Sequence, residues 1–309
     1  MADKQIIDFE IPIGDWVEAG VNWIQTNLTG LLDAFADIVG LLVDTFEDGL
    51  LAVPPLVLSV IIVALAAWRV SWKFGLFAIL AVVLIYGMDI WSETVSTLAL
   101  VIGSSLLALL IGIPIGIAMA RSETVEAVAR PVLDLMQTMP PFVYLIPAAI
   151  FFGLGKVPGS IATLIFAMPP AVRLTNLGIR QVSQENVEAG LAFGCTSRQL
   201  LLKVQLPLAM PSIMAGVNQT IMLALSMVVI ASMIGAGGLG NTVLTGIQRL
   251  DVGLGFEGGL GVVLLAILLD RITQSFGQGR RGVTSTSLIE RLRQLFSLGR
   301  VNGRQSGSN

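Results

Sequence analysis

Seven apolar runs constrain this chain more than any other feature. They cover approximately Leu51–Trp68, Phe74–Ile90, Thr94–Ala120, Val132–Gly153, Ser160–Asn176, Met210–Gly235 and Phe256–Phe276. A hydrocarbon core about 30 Å thick is crossed by roughly 20 apolar residues in an α-helix. Away from water only a helix or a closed barrel pairs every backbone donor and acceptor. The runs therefore predict an all-α integral membrane protein of about seven transmembrane helices. The chain is 54% hydrophobic and 13% charged, against about a quarter charged for an ordinary soluble domain.

Basic residues favour the cytoplasmic side of a membrane. With the N-terminus outside, that side receives Arg69, Lys73, Arg121, Arg130, Arg173, Arg180, Arg198, Lys203 and the basic residues from Arg271 onward. The outer side keeps only Lys4, Lys156 and Arg249. Seven spans, N-out and C-in, is the expectation.

The segments flanking the spans differ in charge. Residues 1–50 hold ten acidic residues and one Lys. Within them Trp16, Trp23, Ile24, Leu31, Phe35, Ile38, Leu42 and Phe46 recur at helical spacing. This reads as an external amphipathic helical segment with Trp at headgroup level. An extra span is the alternative, opposed by Asp33, Asp37 and Asp44 at roughly 3 kcal/mol each near a bilayer centre. The acidic, polar start does not read as a cleavable signal peptide. Residues 277–309 read as a basic cytoplasmic tail, largely disordered, with six Arg against one Glu. Residues 51–276 between them are the membrane domain.

The chemistry available to the chain is narrow. There is no His, one Cys (Cys195) and a net charge of −3. His-based acid/base catalysis, most zinc sites and an intrachain disulfide are excluded, and no basic surface for nucleic acid is implied. "GAGGLG" at 235–240 has the letters of a dinucleotide fingerprint, Gly235, Gly237 and Gly240. It follows a membrane helix rather than a strand, so its glycines are read as a tight turn. "GLGK" at 153–156 lacks the Ser or Thr and the upstream Gly of a phosphate-binding loop. Gly112 and Gly116 form a G-x-x-x-G pair suited to close helix packing. No catalytic residue, metal site or cofactor is expected on this chain.

Pro140–Pro141 and Pro169–Pro170 lie within the fourth and fifth runs. Each Pro removes a backbone donor, and the freed carbonyls need protein or a cavity to satisfy them. They mark either a translocation path or kinks that shape packing.

One stretch between the fifth and sixth runs cannot sit in lipid: "ENVEAGLAFGCTSRQLLLKVQLP", residues 185–207. Glu188, Arg198 and Lys203 would together cost on the order of 9 kcal/mol there. Val187, Leu191, Leu200, Leu201 and Val204 suggest two short amphipathic helices, with Gly194 at the turn between them and Pro207 ending the second. Glu188-Ala189-Gly190, then Gly194, Val204 and Leu206-Pro207 resemble the EAA loop of ABC-importer permeases at every spacing. Gly190 replaces Ala and Val204 replaces Ile in that pattern. From about Trp16 to Gln274 the chain is similar to the glycine betaine/proline betaine importer permeases, including "DLMQTMPPFVYLIP" and "KVQLPLAMPSIMAGVNQTIMLALSMVVIASMI".

The resemblance implies a type I ABC-importer permease bundle in the cell (inner) membrane, with the loop as a cytoplasmic coupling helix docked on an ATPase. It also implies a second permease copy as homodimer partner, two ATPase subunits that carry ATP and Mg, and an external substrate-binding protein. The implied cargo is a quaternary-ammonium compatible solute, glycine betaine or proline betaine first, with trimethylamine N-oxide or choline as alternatives. Such a cation is held by aromatic faces at about 0.5–2 kcal/mol each. Pro140, Pro141, Phe142, Tyr144, Phe166, Pro169 and Pro170 are the candidate path residues, with core packing as the alternative role. The competing function class is an ion-gradient-driven secondary transporter or channel. Those folds show internal repeats and midplane carboxylates, whereas here Asp134, Glu257 and Asp270 lie near the ends of runs.

Overall fold

A computed structural model describes residues 12–277. The basic tail beyond 277 and the first eleven residues lie outside the described residues. The described chain is helical throughout: α1 (Ile13–Asn27), α2 (Thr29–Ala52), α3 (Pro55–Arg69), α4 (Trp72–Gly87), α5 (Trp91–Arg121), α6 (Glu123–Thr138), α7 (Pro141–Phe152), α8 (Lys156–Arg180), α9 (Gln184–Ala192), α10 (Ser197–Leu200), a π-turn at Leu201–Gln205, α11 (Leu206–Ser232), α12 (Gly238–Arg249) and α13 (Val252–Gly277).

Four of these are long and apolar enough to cross a membrane alone: α5, α8, the continuous stretch Ser197–Ser232, and α13. Counting each bent helix pair as one span raises the number to six. The first two expected spans are α3 and α4, of 15 and 16 residues. At 1.5 Å per residue they are about 22–24 Å long, shorter than a full hydrocarbon core. They pack as a hairpin so close that a Cβ on Gly75 would lie 2.7 Å from the Cβ of Ala67.

The core is α5, α8 and α11, with α8 between the other two. Helices in lipid gain nothing from burying apolar surface against each other, so small residues and close contact must hold them. Glycines supply that contact. A Cβ on Gly116 would lie 2.6 Å from the Val172 carbonyl oxygen, and one on Gly112 3.2 Å from Ala171. On α11, Gly216 meets the Pro170 carbonyl in the same way at 3.2 Å. The G-x-x-x-G pair is thus the contact face of α5 on α8. Pro169 and Pro170 are buried in the α8 interior, and the helix continues through both.

Two expectations need correction, and the placement of residues 29–52 gains detail. The fourth run, Val132–Gly153, is not one continuous helix: α6 and α7 meet at a 99° bend. Pro140 and Pro141 explain it. The residue before a proline is pushed out of the helical region, and Met139 is extended at φ −68°, ψ 137°. Pro141 then opens α7 at its first position, where a missing donor costs nothing.

Residues 29–52 do not lie apart from the bundle. α2 packs on α5 and α8, with Val39, Gly40, Val43 and Glu47 buried. Asp33, Asp37, Asp44 and Asp48 are exposed, so the aspartates avoid burial although the helix packs on the core. α1, set at 82° to α2, buries none of its residues.

Pro207, finally, does not end the second loop helix. α10 passes into α11 through the π-turn, where the Leu206 N–H donates to the Leu201 carbonyl. The i→i−5 pairing absorbs the proline near the start of α11 without breaking the rod.

Candidate functional site

The loop expected to project from the bundle does so. α9 starts after Ser183 and closes in a Schellman motif: the Gly194 N–H donates to the Leu191 carbonyl at 2.9 Å and the Cys195 N–H to the Gly190 carbonyl at 3.1 Å. This closure requires a positive φ at the residue past the cap, and Gly194 has φ +79° with open space around it. Its role is conformational, not one of fit. Thr196 then starts α10 with a capping box: its hydroxyl accepts from the Gln199 backbone N–H at 3.3 Å, and the Gln199 side-chain Oε1 accepts from the Thr196 N–H at 2.9 Å.

The two arms touch through their small and apolar positions. Gly190 is buried, and a Cβ there would stand 2.7 Å from Leu200 Cδ1 and 3.6 Å from a Val204 methyl. Gly190 and Val204 therefore hold the arms together. Leu206 is partly buried and packs toward Ile179 and Ile213, while Pro207 is exposed. Glu188 and Ala189 are exposed on α9. Beside them Leu191 is 54% exposed and Phe193, at the tip, 89%. A large aromatic at the tip of a charged loop is the feature sequence reasoning passed over; its position next to Gly194 was the available signal.

The candidate path residues separate into three groups. Tyr144 and Phe166 meet in one apolar cluster with Met139, Ala162, Ile165 and Met227. The Tyr144 hydroxyl donates to the carbonyls of Met136 and Met139, which lie at the α6 C-terminus and have no helical donor left to pair with. Tyr144 thus ties α7 back onto the bend. Phe142 is on the other face of α7, 50% exposed beside Val143 and Ile146. Pro140 and Pro141 form the bend itself, and Pro169 and Pro170 face the packed core of α8.

Sequence reasoning also missed a polar centre at the same end of the bundle. Glu126 on α6 is buried, and its carboxylate accepts from Arg130 at 2.5 Å, Arg180 at 2.6 Å and Asn176 at 3.0 Å. Arg180 also donates to Asn176 at 3.0 Å and to the Met119 carbonyl near the end of α5 at 3.0 Å. α6 carries four charged residues and precedes the bend, so this centre lies outside the apolar spans. Asn176 first, then Arg130, hold the Glu126 carboxyl below the usual carboxylate range against the opposing effect of burial. The Glu126–Arg130 spacing was readable as an i,i+4 pair; its partners on α8 were not.

The opposite end is closed by glycines. The "GLGK" and "GAGGLG" segments pair with each other: the Gly155 N–H donates to the Ile234 carbonyl at 2.8 Å, and a Cβ on Gly159 would lie 2.7 Å from that of Ala236. Gly235, Gly237 and Gly238 have φ of +88°, +77° and +67°, the tight turn expected of them. Lys156 is held by Glu47 of α2 at 2.5 Å, and Glu47 also accepts from Ser96 of α5 at 2.8 Å.

Residues 112–282 match the family described as "Binding-protein-dependent transport system inner membrane component". Among known proteins, the chain is 49% identical over 272 residues to the glycine betaine/proline betaine transport system permease protein ProW of Escherichia coli K12, covering 88% of this chain and 77% of that one. It is 52% identical over 272 residues to the glycine betaine/carnitine transport permease protein GbuB of Listeria monocytogenes, covering 87% and 96%. The inward-facing MetNI methionine ABC transporter shares the fold, with a TM-score of 0.53 at 20% identity over 59% of this chain and 91% of that one. The chain therefore belongs to the inner membrane components of binding-protein-dependent transport systems, and is a membrane-embedded permease subunit.

Proposed function

We propose that the chain is the non-catalytic pore subunit of an ATP-driven importer for a quaternary-ammonium compatible solute, glycine betaine or proline betaine first. The observation that carries this reading is the projecting loop, which offers Glu188, Ala189, Leu191 and Phe193 to solvent around a Gly194 turn. A rigid, apolar-tipped turn joined directly to the α11 rod is suited to dock in a cleft of an ATPase and to transmit force. In this reading ATP and Mg belong to two separate ATPase subunits, and an external binding protein selects the cargo. The names of the similar permeases support glycine betaine as that cargo. Trimethylamine N-oxide and choline are carried by more distant relatives, according to their names.

A second copy of the chain completes the pore. Val125, Val128, Val132 and Leu135 on α6, with Phe142 and Ile146 on α7, remain exposed, and an apolar face of this kind suits a self-complementary contact. The path offers Phe166, which is only partly buried, rather than a full aromatic cage, as release of the cargo requires, while the buried Tyr144 supports the bend behind it. In this reading the orientation is N-out and C-in, because Arg69, Arg121, Arg130, Arg173, Arg180, Arg198 and Lys203 then fall on the cytoplasmic side. α1 lies on the outer face with Trp16 and Trp23 at the headgroups.

Reconstitution with the cognate ATPase and binding protein tests the reading. Labelled glycine betaine should accumulate only with ATP on the loop side. Competition by trimethylamine N-oxide, choline and proline betaine ranks the cargo. Uptake driven by an ion gradient without ATP would replace this reading with a secondary transporter.

A further inference from the structure

The permease reading leaves open how movement of the loop reaches the bent α6–α7 pair. On that reading, we propose that Glu126 is the positioning residue that passes loop movement to α6. The loop has two roots. One is α10 and α11, a single rod. The other is the end of α8, where Arg180 is the last helical residue and only three residues precede α9. Arg180 is fixed on three sides, by Glu126 of α6, Asn176 of its own helix and Met119 of α5. Displacement of the loop root therefore pulls on Glu126 before it pulls on anything else in α6.

The facing surfaces form an antiparallel ladder. α6 presents Glu126 and Asp134, and α8 presents Arg180 and Arg173. Glu126 pairs with Arg180, and Asp134 with Arg173 at 2.5 Å. The rungs are unequal. The Glu126 side chain is 11% exposed, whereas Asp134 and Arg173 are 60% and 40% exposed. An exposed pair contributes little and re-forms readily; a buried carboxylate with three donors fixes register. A cavity of about 400 Å³ lies between the helices, lined by Glu126, Arg130, Asp134, Arg173, Asn176 and Arg180. It gives the side chains room to follow α8 when the loop root shifts. α6 leads within twelve residues to Thr138 and the bend, so its displacement re-aims α7 and Tyr144.

The test is the number of solute molecules moved per ATP hydrolysed, in proteoliposomes holding the full complex. A residue that only supports the fold lowers uptake and hydrolysis together and leaves this ratio alone. Glu126→Gln keeps the shape and removes the charge; the ratio should fall about two- to thirtyfold, the span of a 0.5–2 kcal/mol change in coupling. Asp134→Asn, the same change on the exposed rung, should leave it unaltered. Arg180→Lys keeps the charge but loses the fork that reaches Asn176 and Met119, and should also lower the ratio. It serves if Glu126→Gln fails to assemble. Wild-type ratios in both Glu126→Gln and Arg180→Lys, with wild-type uptake intact, overturn the role of Glu126 and leave the permease reading standing. Absence of ATP-driven uptake by the wild type overturns both.

Discussion

The two ends of the bundle are closed by different chemistry. At the loop end, α5, α6 and α8 meet through Glu126, Arg180 and Asn176, long side chains with a cavity beside them. At the other end, α5, α8, α11 and α12 meet through backbone. Leu239 donates its N–H to Thr97 at 2.8 Å, a Cβ on Gly238 would stand 2.4 Å from the same hydroxyl, and one on Gly240 2.4 Å from the Val228 carbonyl. Side chains can exchange partners as helices slide; backbone in contact cannot. On this comparison the loop end, where the polar cluster lies beside a cavity, is expected to be the more adaptable of the two.

Substitutions sharpen that contrast, and we order them by expected effect. Gly240→Ala should be the most damaging. The new methyl meets the carbonyl and carbonyl carbon of Val228 at 2.4 and 2.8 Å and Val229 Cα at 3.0 Å, none of which can swing aside. Overpacking of this kind costs about 1–3 kcal/mol, and the upper end applies here. Thermal unfolding in detergent should show it, and an unchanged midpoint would mean that the glycine end is not rigid.

Glu47→Gln comes next. It removes the charge that holds Lys156, while Ser96 keeps an acceptor. Glu47 is buried but the Lys156 side chain is 41% exposed and rehydrates, so the expected loss is about 1 kcal/mol. Easier proteolysis between α2 and α3 should accompany it, because α2 loses its polar anchor.

At the loop end the same class of change should matter less. Gly190→Ala meets only the Leu200 Cδ1 methyl closely, the far end of a flexible side chain. Its cost should stay below about 1 kcal/mol, offset in part by the helix preference of Ala over Gly. Smallest of all is Asp134→Asn, whose exposed pair with Arg173 contributes roughly 0–1 kcal/mol and is screened by salt. A loss at Asp134 equal to that at Gly240 would erase the distinction between the ends.

The sequence carried much of this architecture, but unevenly. Long apolar runs located α5, α8, α11 and α13, because a span announces itself by composition over one continuous helix. The α6–α7 bend did not announce itself that way. Apolar composition is blind to direction, and only Pro140–Pro141 hinted at the break. The packing of α2 was hidden for a related reason. Its aspartates argued against a span and are exposed, while Val39, Val43 and Glu47 are buried, and the charge on Glu47 is met by a lysine 109 residues away. The loop was legible because its motif is local: Gly190, Gly194 and Val204 act within 15 residues of each other. Glu126 was not, since Asn176 and Arg180 reach it from another helix.

At the centre of the proposed function is the loop at 185–207, which would convert ATP hydrolysis on a partner subunit into solute movement through this chain. The most direct measurement is ATP-dependent uptake of labelled glycine betaine by reconstituted complexes of the wild type and Gly194→Val. A β-branched residue cannot hold φ +79° without strain of order 1–3 kcal/mol, and a Cβ added at this position meets open space. The account predicts that the variant still inserts in the membrane and assembles with its partners, with the strain confined to the loop, while ATP-driven uptake falls at least about tenfold. Full uptake by Gly194→Val, at the wild-type rate and with normal ATPase assembly, would contradict it.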